Sequence, residues 1–133
     1  MPSQKPIYKK EYEHVDCVDQ AVWLGNDTPF MESDFTFVFR DRYPCTEGHT
    51  LFIPKENNSH FIGRSYGLAY DYGNEKVEKG EIDGFNIGMN IGICAGQTIM
   101  WPHIHFIPRH KGDAKEIGGM RHAHPGADHK KYY

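Results

Sequence analysis

The residues best suited to chemistry are two histidines in the run Trp101-Pro-His-Ile-His. In a strand, side chains two residues apart share a face, which predicts His103 and His105 on one side together with Trp101. The apolar residues between and after them would face the core. Histidine is a common buried polar residue, the commonest metal ligand and an effective catalytic group. The pair alone therefore leaves three interpretations open: structural residues, metal ligands or catalytic groups.

The segment before the histidines has the composition of an anion-binding loop. Residues 90–97 read NIGICAGQ, with glycines at 92 and 96 and side-chain amides at both ends. Successive backbone N–H groups in such loops bind anions, which predicts a phosphate site. Glycine-rich connections between strands are also ordinary turns, so the loop is a weak signal by itself.

Short apolar runs predict the elements that would position these groups. Five runs are typical of strands: AVWLGNDTP (21–29, as an edge strand), FTFVFRD (35–41), HTLFIPK (49–55), GFNIGMN (84–90) and PHIHFIPR (102–109). A period near 3.6 predicts a helix over residues 65–79, with Gly80 as its stop. The sum is an α+β fold, an antiparallel sheet of about five strands with one main helix packed on it.

The bulk properties limit the possible partners. A length of 133 residues predicts a single domain over 1–133, with a polar N-terminal segment over 1–20 and a polar C-terminal tail over 110–133. The net charge of −3 provides no basis for electrostatic capture of nucleic acid. No run approaches the roughly 18 apolar residues of a membrane span, and three separated cysteines argue against a disulfide framework. We expect a cytoplasmic protein without nucleic-acid or membrane partners.

Several motifs in one order resemble the histidine-triad (HIT) superfamily of nucleotide hydrolases and transferases. Asn90-x-Gly-x-x-x-Gly-Gln97 is followed by HIHFIPR, then by GD and GGMR. The first half agrees, because ESDFTFVFRDRYPCTEGHTLFIPK contains an Asp, a Pro, a Gly-His pair and a closing Pro-Lys in the family's order. The resemblance extends from about Val22 to Arg121. It implies a HIT-like fold, a homodimer, a nucleotide substrate and no cofactor.

The resemblance also implies roles for three histidines. His103 would attack the α-phosphorus of a nucleotide, giving a nucleotidyl-histidine that water hydrolyses to a nucleoside monophosphate. His105 would hydrogen-bond the phosphoryl oxygens, and His49 would support the same phosphate. The alternative for His49 is that it caps a turn.

The substrate-binding residues implied by the resemblance are Asp41, Asn90, Gly96 and Gln97. Asp41 would accept hydrogen bonds from the ribose hydroxyls, and the loop with its amides would hold the charge that develops on the phosphate. Two structural alternatives stay open: Asp41 as a surface ion pair with a neighbouring arginine, and the two amide side chains as supports of the loop backbone.

The chain departs from the family pattern His-x-His-x-His at its first position, which is Trp101. In the family, the main-chain carbonyl of this residue orients the nucleophile, and a carbonyl survives substitution. An aromatic-Pro pair before the two histidines also resembles a bacterial-type subgroup. Many relatives hold a structural zinc with two cysteines, a histidine after Pro-Lys and the first triad histidine. This chain has Cys17-Val-Asp-Gln, Asn57 and Trp101 there, so we predict no metal.

The expected function is therefore a nucleotide hydrolase, acting on a dinucleoside polyphosphate such as diadenosine tetraphosphate or as a phosphoramidase on a nucleoside phosphoramidate. One alternative is a metal-dependent hydrolase or cupin-like module, with His103, His105 and His49 around a divalent ion. Its weakness is that no carboxylate lies near the motif in sequence. The other alternative is a nucleotide-binding module without catalysis.

Overall fold

The structure is a computed structural model, and it describes residues 13–128. Residues 1–12 of the expected N-terminal segment and 129–133 of the expected tail lie outside the described part. Two helices, α1 (Val22–Asn26) and α2 (Ser59–Glu78), accompany five strands: β1 (Met31–Glu32), β2 (Thr36–Arg40), β3 (Thr50–Pro54), β4 (Gly84–Gly88) and β5 (Ile104–Arg109). Short 3₁₀ turns lie at Val18–Gln20, Ile93–Ala95 and Met120–Ala123.

The five strands form one antiparallel sheet in the order β1-β2-β3-β5-β4. The predicted α+β class, with about five strands and one main helix, is confirmed. The central neighbours β3 and β5 come from opposite halves of the chain, and their register places Leu51 opposite His105. This pairing brings the residues around His49 beside the two C-terminal histidines.

The predicted edge strand over 21–29 is wrong, because residues 22–26 form α1 and the edge strand is β1. Val22 and Trp23 are both buried on this short helix. The side-chain amide of Asn26 donates to the Val22 carbonyl at 2.7 Å, which completes the turn. A helical turn can bury two adjacent apolar residues where a half-exposed edge strand would point one of them at water.

The main helix begins six residues earlier than predicted, at Ser59. Asn58 is its N-cap, and the Asn58 side chain accepts from the backbone N–H of Phe61 at 2.9 Å. Such a cap satisfies one of the amides that a helix start leaves open. Gly80 adopts φ +72° just after the helix, as expected of a C-terminal stop.

Two apolar clusters cover the two faces of the sheet. The cluster under α2 contains Val38, Phe52, Ala69, Ile82, Ile104 and Phe106. The cluster on the opposite face contains Val15, Val18, Ala21, Val22, Trp23, Phe39, Leu51, Ile53 and Trp101. The predicted alternation is seen at the start of β5: Ile104 and Phe106 pack in the cluster under α2, whereas His103, just before the strand, packs on Trp23 of the opposite cluster. No helix within residues 13–128 is both long and apolar enough to cross a bilayer; the cytoplasmic location stays a prediction.

Candidate active site

His103 lies immediately before β5 with only 7% of its surface exposed. Its Nδ1 is 2.7 Å from the main-chain oxygen of Trp101. A carbonyl only accepts, so Nδ1 carries the proton and donates, and Nε2 keeps a lone pair. Burial lowers the pKa of His103, opposed by the bond to the Trp101 carbonyl and by the Asp41 charge. The imidazole is thus held neutral, with one defined nitrogen available as a nucleophile.

His49 and His105 form a second, directly bonded pair. The backbone N–H of Cys45 donates to Nδ1 of His49 at 3.2 Å, which places the proton of His49 on Nε2. That Nε2 is 2.9 Å from Nδ1 of His105, which therefore accepts. The remaining proton of His105 lies on its Nε2. His49 thus accepts from a turn amide, as the structural alternative for it expected, and directs its own N–H at His105.

The pKa values of this pair are lowered by their surroundings. Burial is the largest cause for both residues, and the Asp41 charge opposes it in each. The neighbouring His103 and His49 lower the pKa of His105 further, to about 4. Because of these shifts the pair is neutral near pH 7, with one N–H to donate.

Asp41 lies at the end of β2 and reaches the same pair. Its Oδ2 is 3.3 Å from Nε2 of His49 and 3.9 Å from Nδ1 of His105, and its Oδ1 accepts from the Tyr43 amide at 2.8 Å. The neighbouring arginines point elsewhere: Arg40 donates to Thr50 and Tyr72, and Arg42 forms an ion pair with Asp27. The interpretation of Asp41 as a surface ion pair is wrong.

A cavity of about 250 Å³ joins these residues. Its lining comprises Trp23, Asp41, Tyr43, His49, Leu51, Asn90, Gly96, Thr98, Ile99, His103 and His105. Six of the seven expected site residues line it, and Gln97 does not. Its lining combines the three imidazoles with the apolar side chains of Trp23, Leu51 and Ile99. This arrangement suits a ligand with an anionic group joined to a flat apolar group.

Several hydrogen-bonding groups of the loop over residues 90–97 are bonded within the loop or beside it, so they are not available to an anion. The Gln97 side chain accepts from the Gly92 amide at 2.9 Å and donates to the Ile99 carbonyl at 3.0 Å. The amides of Ala95, Gly96 and Gln97 also donate to carbonyls within the loop. The expectation that the whole loop closes around a phosphate through its amides is therefore wrong for the backbone amides of Gly92, Ala95, Gly96 and Gln97. Their bonds instead fix the backbone that places Asn90 and Gly96 at the cavity.

Five lining residues were missed by sequence reasoning: Trp23, Tyr43, Leu51, Thr98 and Ile99. Trp23 packs with its ring centroid 5.0 Å from that of His103, but a single Trp on a five-residue helix has no pattern that marks it. Leu51 follows His49 by two residues in a strand, so alternation was a usable signal for it.

The described residues contain one group of side chains that could hold a metal ion: Asp41, His49 and His105. Their donor atoms lie within 4.8 Å of one another. No carboxylate lies near the two histidines of the motif in sequence, but the antiparallel pairing of β2 with β3 brings the carboxylate of Asp41 beside His49. The hydrogen bond from Cys45 opposes coordination, since it places a proton on Nε2 of His49, the atom that faces the group.

Comparison with known proteins agrees with this geometry. The family model described as HIT domain matches residues 26–112. An uncharacterized HIT-like protein of Methanocaldococcus jannaschii is 32% identical over 92 residues, which are 65% of this chain and 71% of that protein. The adenylylsulfatase HINT3 of Arabidopsis thaliana is 33% identical over 108 residues, 74% of this chain and 54% of that protein.

Among solved structures, the Zn-bound histidine triad family protein from Mycobacterium smegmatis aligns with a TM-score of 0.61 at 28% identity. The alignment covers 68% of this chain and 72% of that one. The matched family segment spans β1 to β5 and includes every residue of the cavity except Trp23. The chain therefore belongs to the HIT domain family.

Proposed function

We propose that this protein is a nucleotide hydrolase that cleaves at the α-phosphate through a covalent intermediate on His103. The observation that carries the proposal is the 2.7 Å hydrogen bond between Nδ1 of His103 and the Trp101 carbonyl. It leaves the Nε2 lone pair unprotonated in a cavity that also holds two other neutral imidazoles. A neutral imidazole needs no separate base to act as a nucleophile near pH 7.

In the first step, the Nε2 lone pair of His103 attacks the α-phosphorus. The bond from phosphorus to the leaving group breaks, and its electron pair leaves with that group. A polyphosphate leaves as an anion, whereas an amine leaves with a proton taken up from solvent. The Nε2–H of His105 donates to a phosphoryl oxygen and stabilises the charge that develops there, and His49 holds His105 in the required tautomer.

In the second step, water attacks the same phosphorus. The P–N bond breaks, its electron pair returns to Nε2 of His103, and the proton of the water passes to solvent. The product is a nucleoside monophosphate. Asp41 and Asn90 line the cavity with the imidazoles, where they bind the ribose and the phosphate, and the apolar lining residues Trp23, Leu51 and Ile99 contact the base.

The test is intact-protein mass spectrometry after brief mixing with substrate. Diadenosine tetraphosphate and an adenosine phosphoramidate represent the two substrate classes, and the name of the Arabidopsis relative adds adenylyl sulfate as a third. We expect a transient increase by the mass of an adenylyl group, absent in His103→Ala. His60→Ala is a matched control, because His60 lies exposed at the start of α2 and outside the cavity.

The same experiment separates the alternatives. If turnover proceeds without an adduct, and if that turnover is lost on chelation and in Asp41→Asn, the protein is a metal-dependent hydrolase that uses the Asp41, His49 and His105 group. Nucleotide binding without turnover would indicate a binding module. Either result contradicts the covalent mechanism.

We further propose a homodimer. Strand β4 lies at the edge of the sheet, where a second copy can continue the hydrogen bonding. Tyr70 and Val77 expose 55% and 37% of their surface on the outer side of α2. Sedimentation analysis should give twice the chain mass, and Tyr70→Glu should shift it toward the monomer.

A further inference from the structure

The side chain at the first position of the motif has no part in the reaction steps above, yet it is firmly held. Trp101 is 2% exposed and belongs to the apolar cluster opposite α2. Its indole N–H donates to the main-chain carbonyl of Pro54 at 2.9 Å. Pro54 is the last residue of β3, so this bond ties the segment before β5 to the neighbouring strand.

The same residue supplies the carbonyl that orients His103. A chain of two hydrogen bonds therefore leads from the Pro54 carbonyl through the indole, and then from the Trp101 carbonyl to Nδ1 of His103. Pro102 has no N–H to donate, so the peptide between Trp101 and Pro102 makes no hydrogen bond through its nitrogen. Pro102 also biases the residue before it to an extended backbone, which narrows the directions that the Trp101 carbonyl can take.

We propose that Trp101 is a positioning residue, whose indole N–H fixes the carbonyl that holds His103 in its reactive tautomer. This inference rests on the proposed function for its kinetic consequence, but the tautomer is a property of the free protein. Without the bond to Pro54, the Trp101 peptide is held only by packing and by the bias from Pro102, and its carbonyl accepts less well from Nδ1. The proton of His103 then moves to Nε2 in part of the molecules, and those molecules lack a nucleophile.

Two variants of the full chain remove the N–H. Trp101→Phe keeps the carbonyl and an aromatic ring, and replacement of Trp101 by benzothienylalanine keeps the shape of the indole with sulfur in place of N–H. The second variant preserves the packing, so it decides the question if Trp101→Phe does not fold. Ile53→Val is the control, because Ile53 lies in the same cluster, is fully buried and does not line the cavity.

The first measurement is the ¹⁵N NMR spectrum of the imidazoles without substrate, with His103 assigned by comparison with His103→Gln. We expect Nδ1 protonated in the natural chain and in Ile53→Val, and a mixture of tautomers in both Trp101 variants. The second measurement is turnover. We expect kcat to fall about two- to tenfold, as about half to nine-tenths of the molecules carry the proton on Nε2, with KM within about twofold, since a wrong tautomer disables the reactive group without removing binding groups.

An unchanged His103 tautomer in the benzothienylalanine variant would overturn the proposal and leave Trp101 with a packing role. An equal fall of kcat in Ile53→Val would do the same. If the natural chain turns over no nucleotide, the proposed function fails, and the NMR comparison still decides whether Trp101 positions His103.

Discussion

Substitution of two glycines on α2 tests how closely the sheet and the helix are packed behind the active site. A Cβ added to Gly73 would lie 2.6 Å from two ring atoms of Phe85 and 2.7 Å from a third. The Phe85 ring stacks on Phe106, with centroids 5.3 Å apart and planes at 29°, so it has little freedom to withdraw. Phe106 follows His105 directly, which connects this contact to the site.

The expected effect follows from two opposing terms. Alanine favours the helix over glycine by about 1 kcal/mol, whereas overpacking a tight core position costs about 1–3 kcal/mol. The overlap at Gly73 is severe, so we expect Gly73→Ala to lose about 1–2 kcal/mol of unfolding free energy. Gly67 is the matched control: a Cβ there meets nothing within 4 Å, so Gly67→Ala should gain about 0.5–1 kcal/mol.

Urea and thermal unfolding of the two variants measure this difference. A gap of about 1.5–3 kcal/mol corresponds to roughly 5–10 °C between their melting temperatures for a chain of this size. If Gly73→Ala proves as stable as Gly67→Ala, the close approach of helix and strand is not what requires glycine at 73, and the reasoning is refuted.

Three further predictions concern the site. The pKa of His105 is lowered to about 4 in the folded protein, whereas in the unfolded chain this residue takes up a proton near pH 6.5. The free energy of unfolding should therefore fall as the pH is lowered from 6.5 toward 4, by up to about 3 kcal/mol for this residue. Gly48 adopts φ +88°, and its Cβ would lie 3.2 Å from Pro108, so Gly48→Ala should cost about 1–2 kcal/mol in urea unfolding and reduce turnover. Trp101→Phe removes a buried hydrogen bond, whereas the buried indole nitrogen of Trp23 has no acceptor within residues 13–128. In urea unfolding, Trp101→Phe should therefore be about 1 kcal/mol more destabilising than Trp23→Phe.

Each of these has a contradicting result. A stability that is flat from pH 6.5 to 4 would mean that His105 takes up its proton in the folded protein. Full stability of Gly48→Ala would show that the turn before His49 accepts a side chain. Equal losses for the two tryptophan variants would mean that the Trp101 hydrogen bond adds nothing to stability.

Local patterns were sufficient where a residue's role depends on its neighbours in the chain. Alternation in HIHFIPR predicted which residues of β5 face the helix and which face the site. The pair of strands predicted over residues 35–41 and 49–55 and the helix stop at Gly80 likewise depend on short-range features. The element over 21–29 was missed because two adjacent buried residues, Val22 and Trp23, fit either a strand or one helical turn, and only packing against the sheet selects between them.

The site shows the same division. The resemblance to the HIT superfamily implied, without any coordinates, catalytic roles for His103, His105 and His49. Only the tertiary structure decided their chemistry. The pairing of β3 with β5 brings His49 to His105, and the end of β2 brings Asp41 within 3.3 Å of His49.

The sequence by itself determined the fold class, the motif histidines and their common face, because these depend on periodicity and local spacing. The tertiary structure decided which nitrogen of each imidazole carries its proton, since that depends on acceptors and donors distant in the chain or hidden in the backbone. It also decided that Gln97 supports a loop and that Trp101 is bonded to Pro54. Hydrogen-bond partners are set by packing, and packing is not readable from the order of residues alone.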